Sequence, residues 1–297
     1  MVMVWVTLSA FVAGVVNAVA GGGTFLTFPV LTGFAHLSDR IANITSTDGL
    51  WPGSAASVAA AWGEFKLIPR GMLILFSLIS ILGGTLGSVI LLTTDDRSFE
   101  LAIPWLLAFA TALFAFSKPI ARWAGRHHGH RTPGWTILVG LIQFVVAVYG
   151  GYFGAGIGVL MLAGLSFAGL DSLNQTNALK VLLSTLINGV AAVIFLFGPI
   201  RWDYAIPMAV ASSLGGFFGM AAARKIKPDQ LRGLILLVGV GLTVAFFWKN
   251  YARHGRPHAA CAPSAAHPAN TFVIGAAPAA LASGGSPYMS SIVRSTL

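Results

Sequence analysis

The stretch Ala18-Val19-Ala20-Gly21-Gly22-Gly23-Thr24-Phe25-Leu26 sets three consecutive glycines inside an otherwise apolar run. An echo of it, Gly154-Ala155-Gly156-Ile157-Gly158, follows about 135 residues later. Glycine weakens a helix interior, so each cluster divides a run that would otherwise form one over-long hydrophobic helix. In hydrocarbon, bare backbone is tolerated only where protein or a watery cavity covers it. Two such breaks at matching places in two halves of a chain point to a binding site of the kind membrane carriers use.

Composition fixes the setting. Of 297 residues, 56% are hydrophobic and only 9% charged, with a mean hydropathy of +0.80. Soluble domains carry roughly 25% charged residues, so this chain cannot cover its own surface in water. Several runs approach or exceed the roughly 18 apolar residues that cross a bilayer. The chain is therefore expected to be all-α, a polytopic membrane helical bundle of about eight to ten segments. Its lipid partner is the bilayer, and its runs are too long and too uniformly apolar for barrel strands.

The formal net charge is +9. The basic residues sit in short loops between apolar runs, the positive-inside pattern, which excludes nucleic acid as the reason for the excess. The single cysteine, Cys261, rules out an internal disulfide framework. No Lys or Arg precedes the first apolar run, so the N-terminus reads as the first membrane segment and not as a signal peptide.

Apolar segments are expected over Val2–Ala20, Thr24–Leu37, Asn43–Ala61, Gly71–Leu92 and Leu101–Ser117, then over Trp135–Tyr149, Gly156–Leu170, Thr176–Phe197, Tyr204–Ala223 and Leu231–Trp248. The organisation is thus a first membrane repeat (1–117), a basic cytoplasmic loop (118–134), a second repeat (135–250) and an Ala/Pro/Ser-rich tail (251–297) expected to be disordered. The halves resemble each other. Gly83-Gly84-Thr85-Leu86-Gly87 matches Gly215-Gly216-Phe217-Phe218-Gly219 at an offset of 132, and Ala42-Asn43 can be laid on Thr176-Asn177 at 134. Phe34-Ala35-His36-Leu37 and Gly63-x-x-Lys66 find counterparts in Phe167-Ala168-Gly169-Leu170 and Gly198-x-x-Arg201.

Loop charge gives orientation. Lys66 and Arg70, then Lys118 to Arg131, then Arg224 to Arg232 mark three basic loops, whereas 95–100 is net acidic. Placing the basic loops inside makes the halves antiparallel, as inverted repeats are. Five crossings per half satisfy this, and so do three crossings plus a re-entrant hairpin. The same count puts both termini outside, against which Lys249, Arg253 and Arg256 weigh.

The residues Ala18 to Leu31, with Pro29 in the segment after the break, resemble the opening motif of the sulfite exporter TauE/SafE family. Ala42-Asn43-Ile44-Thr45-Ser46 is similar to that family's small-polar stretch, and Gly154–Gly158 through Thr176-Asn177-Ala178-Leu179-Lys180 looks like its second copy, without a counterpart of Pro29. The resemblance covers about residues 1–250. It implies a multi-pass transporter of the bacterial cell inner membrane for sulfite, sulfonate or sulfoacetate-like anions, with no cofactor. Coupling to protons is a further expectation from the family.

Candidate site residues follow from the chemistry. Half-helix N-termini after Gly21, Gly22, Gly23 and Thr24, and after Gly154, Gly156 and Gly158, would offer backbone N–H groups and helix dipoles to an anion; the alternative is that these glycines only allow close helix packing. Asn43, Thr45, Ser46, Thr176 and Asn177 either cap the next helix of each half or hydrogen-bond an oxoanion. Asp48 and Lys180 are charges inside apolar segments. Lys180 can neutralise an anion; Asp48 can carry a coupled proton or pair with Lys180; or each snorkels to the headgroups. The Asn43 and Asn174 glycosylation triplets abut membrane segments. His127-His128-Gly129-His130 reads as a solvated loop in preference to a metal site, and Trp51-Pro52-Gly53 as a hinge or packing bend. Motifs for metalloproteases, serine hydrolases, P-loops and haem are absent from the sequence, which leaves an anion channel, and more remotely an intramembrane enzyme, as rivals to a transporter.

Overall fold

The first glycine cluster ends a helix and starts another without leaving the protein interior. In the computed structural model, helix α1 (Val2–Val19) stops where Gly21 takes φ +73° and returns its N–H to Val16 O at 2.9 Å. This is the left-handed helix stop that a residue with a Cβ resists. Helix α2 (Thr24–Gly33) then begins, with Leu26 and Thr27 N–H both directed at Gly23 O. The second cluster repeats the construction: Gly154, φ +74°, directs its N–H to Tyr149 O, and Val159 and Leu160 N–H converge on Gly156 O.

The structure describes residues 1–19, 21–125, 133–168, 170, 172–222 and 228–254. All of them belong to the first of the chain's two units, Met1–Gly255. The expected tail and the His127–His130 loop lie outside the described residues.

After α2 come α3 (Asp39–Ala60), the single turn α4 (Trp62–Phe65), α5 (Arg70–Thr93) and α6 (Asp96–Gly125). The second half comprises α7 (Pro133–Tyr152), α8 (Ile157–Leu165), α9 (Leu173–Phe195), α10 (Trp202–Ala222) and α11 (Pro228–His254). Every described element is helical, as the long apolar runs require. Among the described residues four helices, Val2–Val19, Arg70–Thr93, Gly134–Tyr152 and Asn174–Phe195, are long and apolar enough to cross a membrane. Leu78, Leu82, Trp105, Val145, Val210 and Leu237 stand exposed on the bundle's surface, where a bilayer would cover them.

Two boundaries differ from the sequence expectation. Helix α3 starts at Asp39 behind Ser38, four residues before Asn43, because a carboxylate suits a helix N-terminus. Helix α6 continues past Ser117 to Gly125, so Lys118 and Arg122 are on a helix and not in a loop. Pro52 does not end α3, which runs unbroken to Ala60.

The packing has an exchange symmetry. Helix α3 packs on α10 as α9 packs on α5, and α1 packs on α10 as α7 packs on α5. Helices α6 and α8 touch, as do α11 and α2, while α3 meets α9 and α6 meets α11. Writing α7, α8, α9, α10 and α11 onto α1, α2, α3, α5 and α6 carries each of these pairs into another or into itself. The matched glycine motifs explain how. A Cβ at Gly83 would sit 2.8 Å from Phe144 O of α7, and one at Gly87 would fall on Val148 O. One at Gly215 would fall on Phe11 O of α1, and one at Gly219 would sit 2.6 Å from Val15 Cα. The middle glycines face the third helices, Gly84 against Ile187 and Gly216 against the backbone of Gly53. Close backbone approach through small residues is how helices associate where no hydrophobic drive operates.

At one end of the bundle, ion pairs join three helices. Arg40 meets Asp96 at 3.0 Å, and Lys249 lies 3.3 Å from Asp39 and 3.6 Å from Glu100.

Candidate functional site

The two glycine breaks are in backbone contact. A Cβ added to Gly21 would fall on Gly158 Cα, and one added to Gly22 would sit 3.8 Å from Gly156 Cα. Breaks separated by more than a hundred residues therefore meet in the bundle interior, covered by protein as bare backbone at membrane depth must be.

A small cavity opens beside them. Gly21, Thr24 and Asn17 line it from the first break, and Gly154 and Ile157 from the second. Helix α3 contributes Thr47, Leu50, Ser54 and Ser57, at helical spacing; helix α9 contributes Val181, Ser184 and Asn188. The lining follows the exchange of halves: Gly21 with Gly154, Thr24 with Ile157, Thr47 with Val181, Leu50 with Ser184 and Ser54 with Asn188. The room open to the centre of a water molecule is about 20 Å3, where one water needs about 10–15 Å3. In this conformation the cavity must widen to hold a polyatomic anion.

Of the sequence-predicted residues, Gly21, Thr24 and Gly154 line the cavity. The others surround it. Gly22 and Gly23 donate their N–H groups to Asn17 Oδ1 at 3.0 and 2.7 Å, so at the first break a side-chain oxygen already occupies the position expected for an anion. Gly156, φ +74°, precedes α8 and faces the Phe25 ring. Gly158 packs on Gly21.

The small-polar residues are not helix caps, and two of them, Asn43 and Ser46, tie α3 to the segments at the breaks; the capping residue of α9 is Ser172, whose Oγ accepts from Gln175 N–H. They lie one or more turns inside helices that begin earlier than the sequence suggests. Asn43 donates to Tyr152 O, just ahead of the second break, at 3.1 Å. Thr45 Oγ1 accepts from Arg201 N–H, Ser46 bonds Thr27 across to α2 at 2.6 Å, and Thr176 donates to Ser172 O. The Oδ1 atoms of Asn43 and Asn177, equivalent under the repeat, are both buried without a donor among the described residues. Asn43 is also too buried to be a glycosylation acceptor.

Lys180 is fully buried, which excludes snorkelling. It does not pair with Asp48. Its ammonium donates to Asn17 O at 3.2 Å and Ala18 O at 3.4 Å, the last-turn carbonyls of α1, where a helix dipole favours a cation. The amine therefore stands directly behind the cavity wall at Asn17 and Val181. Asp48 Oδ2 is buried and meets no donor among the described residues. It lies four residues before Pro52, whose missing N–H leaves the Asp48 carbonyl without its usual helical partner.

Thr47, in the small-polar stretch that begins at Asn43, lines the cavity, whereas sequence reasoning missed Asn17, Ser54, Ser57, Ser184 and Asn188. The signal was available: polar residues at 47, 54 and 57 recur on one face of α3, and the repeat offset of 134 carries 54 onto Asn188.

Comparison with known proteins agrees with this architecture. The family model described as sulfite exporter TauE/SafE matches residues 6–247. A "Probable membrane transporter protein ORF9" of Sinorhizobium sp is 28% identical over 242 residues, 80% of this chain and 89% of the relative. A "Probable membrane transporter protein" of Haemophilus influenzae is 25% identical over 237 residues, 78% of this chain and 89% of the relative. A family match across nearly the whole membrane unit, on a fold of paired broken helices, places this multi-pass membrane transporter in the sulfite exporter TauE/SafE family.

Proposed function

We propose that the chain is a secondary active transporter, not an enzyme, moving small organic or sulfur-containing anions (sulfite, sulfonate or sulfoacetate-like) across the bacterial inner membrane by alternating access. The observation that carries this reading is the meeting of the two glycine breaks at a cavity whose walls exchange with the halves. Inverted orientation of the halves accords with the loop charges and the exchange symmetry. Among the described residues the cavity lining includes no acidic side chain, and the Lys180 amine stands behind it. Both features suit a negatively charged substrate. Rocking of one set of helices against the other would widen the cavity to each side in turn, and Asp48, with a buried oxygen lacking a donor, is the candidate carrier of a coupled proton.

Flux of labelled sulfite, sulfoacetate and taurine in proteoliposomes, with and without a pH gradient, tests the reading. Saturable flux driven by the gradient is expected. Lys180→Ala should weaken apparent anion affinity at least tenfold, and Asp48→Asn should remove the gradient's effect while leaving exchange. Currents indifferent to the gradient would favour a channel, and absence of flux for every anion would sink the assignment.

A further inference from the structure

The two glycine breaks are built alike but are not filled alike. At the first, the N–H groups of Gly22 and Gly23 converge on one oxygen, Asn17 Oδ1, at 3.0 and 2.7 Å. They stand at the N-terminal end of the ten-residue helix α2, where backbone donors and the helix dipole together favour an anion. The Lys180 amine reaches the same residue from behind, donating to Asn17 O at 3.2 Å. Thr24, the first residue of α2, is an independent sign of a ligand. It is 8% exposed, its hydroxyl makes no hydrogen bond among the described residues, and it lines the cavity beside Asn17. Its Oγ1 lies 4.0 Å from the place a Cβ on Gly154 would take, so it points into the gap between the breaks. At the second break, the offset of 133 that relates Gly21 to Gly154 carries Asn17 onto Gly150, which has no side chain. A Cβ there would fall on Ile157 Cδ1, so hydrocarbon takes the place that a carboxamide holds in the first half.

We infer that Asn17 is a displaceable stand-in for the ligand: an oxygen of the transported anion replaces Asn17 Oδ1 on the N–H groups of Gly22 and Gly23, with the Thr24 hydroxyl as third donor. The amide oxygen is a neutral acceptor. Hydrogen bonds to an ionised acceptor are roughly twice as strong, so an anion that reaches these donors wins them. Movement of the carboxamide out of the wall also widens a cavity that in this conformation is too small for a polyatomic anion. When no substrate is bound, Asn17 keeps paired two N–H groups that membrane depth would not tolerate bare. The inference rests on the anion-transport reading and narrows it: the breaks are equivalent in fold, but the first holds the anion's oxygen and Asn17 competes for the same donors.

Calorimetric titration of the purified chain in nanodiscs with sulfite, methanesulfonate and ethanesulfonate, alongside thermal melting of each preparation, provides the test. Asn17→Asp, which tethers a carboxylate at the donors, should weaken binding of all three anions at least tenfold. Asn17→Ala should melt earlier, having lost two hydrogen bonds, yet bind at least threefold tighter, because no internal acceptor competes. Thr24→Val, which removes the hydroxyl and keeps the shape, should weaken binding about tenfold. A residue that only braces the break would lose melting temperature and affinity together, so weaker or unchanged binding by Asn17→Ala would overturn the inference. Native-like binding by Asn17→Asp or by Thr24→Val would do the same, and each of these results leaves anion transport standing. Binding of none of the anions by the unaltered chain would overturn both the inference and the reading beneath it. Should an Asn17 variant fail to fold, the remaining variants decide.

Discussion

Gly21 and Gly154 occupy equivalent positions but carry different burdens. Both have φ near +74°, a conformation costing a residue with a Cβ about 1–2 kcal/mol. At Gly21 the Cβ would also collide with the backbone of Gly158, whereas at Gly154 its nearest neighbour is Gly150 O at 3.3 Å. Gly21→Ala should therefore lower stability by about 2 kcal/mol or more, adding overpacking to strain. Gly154→Ala should cost less stability but place a methyl between Thr24 and Asn188, reducing transport at least tenfold. Thermal melting and flux on the same preparations check the ordering; a larger melting loss for Gly154→Ala would contradict it. These glycines were legible because a left-handed turn demands glycine and a triple cluster announces it. Asn188 was not, because one asparagine in an apolar helix gives no local signal, and only the repeat register ties it to Ser54. Lys180 stood out in the sequence as a charge within an apolar run, but its partners did not, since the carbonyls of Asn17 and Ala18 belong to a helix more than 160 residues away in sequence.

At the scale of elements, helix contacts depend on where a glycine faces. Gly87 of α5 lies against Val148 O of α7, whereas Gly71 on the same helix has open space around it. Gly87→Ala should destabilise by about 1–3 kcal/mol through forced separation of the helices. Gly71→Ala should be neutral or slightly stabilising, since alanine is the better helix former by about 0.8–1 kcal/mol. Equal melting temperatures for the two variants would show that the motif does not set the spacing. All ten apolar segments were readable from hydropathy, and the Gly-Gly-x-x-Gly pairs from their common spacing. What hydropathy misplaced were starts and ends. Ser38 and Asp39 begin α3 with polar residues that an apolar window discards, and α6 extends through Lys118 and Arg122 for the same reason. The turn at Trp62–Phe65 is too short to leave a periodic signature.

For the whole molecule, the offsets of 132 to 135 suggest two like halves, and the helix pairs in contact exchange under the same assignment. The chain order alone did not reveal that each half lends a helix to the other: α10 packs with α1 and α3, and α5 with α7 and α9. Nor did it reveal which of the cavity's hydroxyls the surrounding helices already use, because those bonds run to main-chain carbonyls of the same helices and to Met161. The central claim is that this cavity is a substrate site reached alternately from each side. Counterflow tests it most directly: proteoliposomes preloaded with unlabelled ethanesulfonate are diluted into trace labelled ethanesulfonate with no ion gradient. The account predicts a transient overshoot of label inside, which Asn188→Ala and Gly154→Ala reduce at least tenfold. Label that enters without overshoot, or an overshoot that both substitutions leave intact, would contradict it.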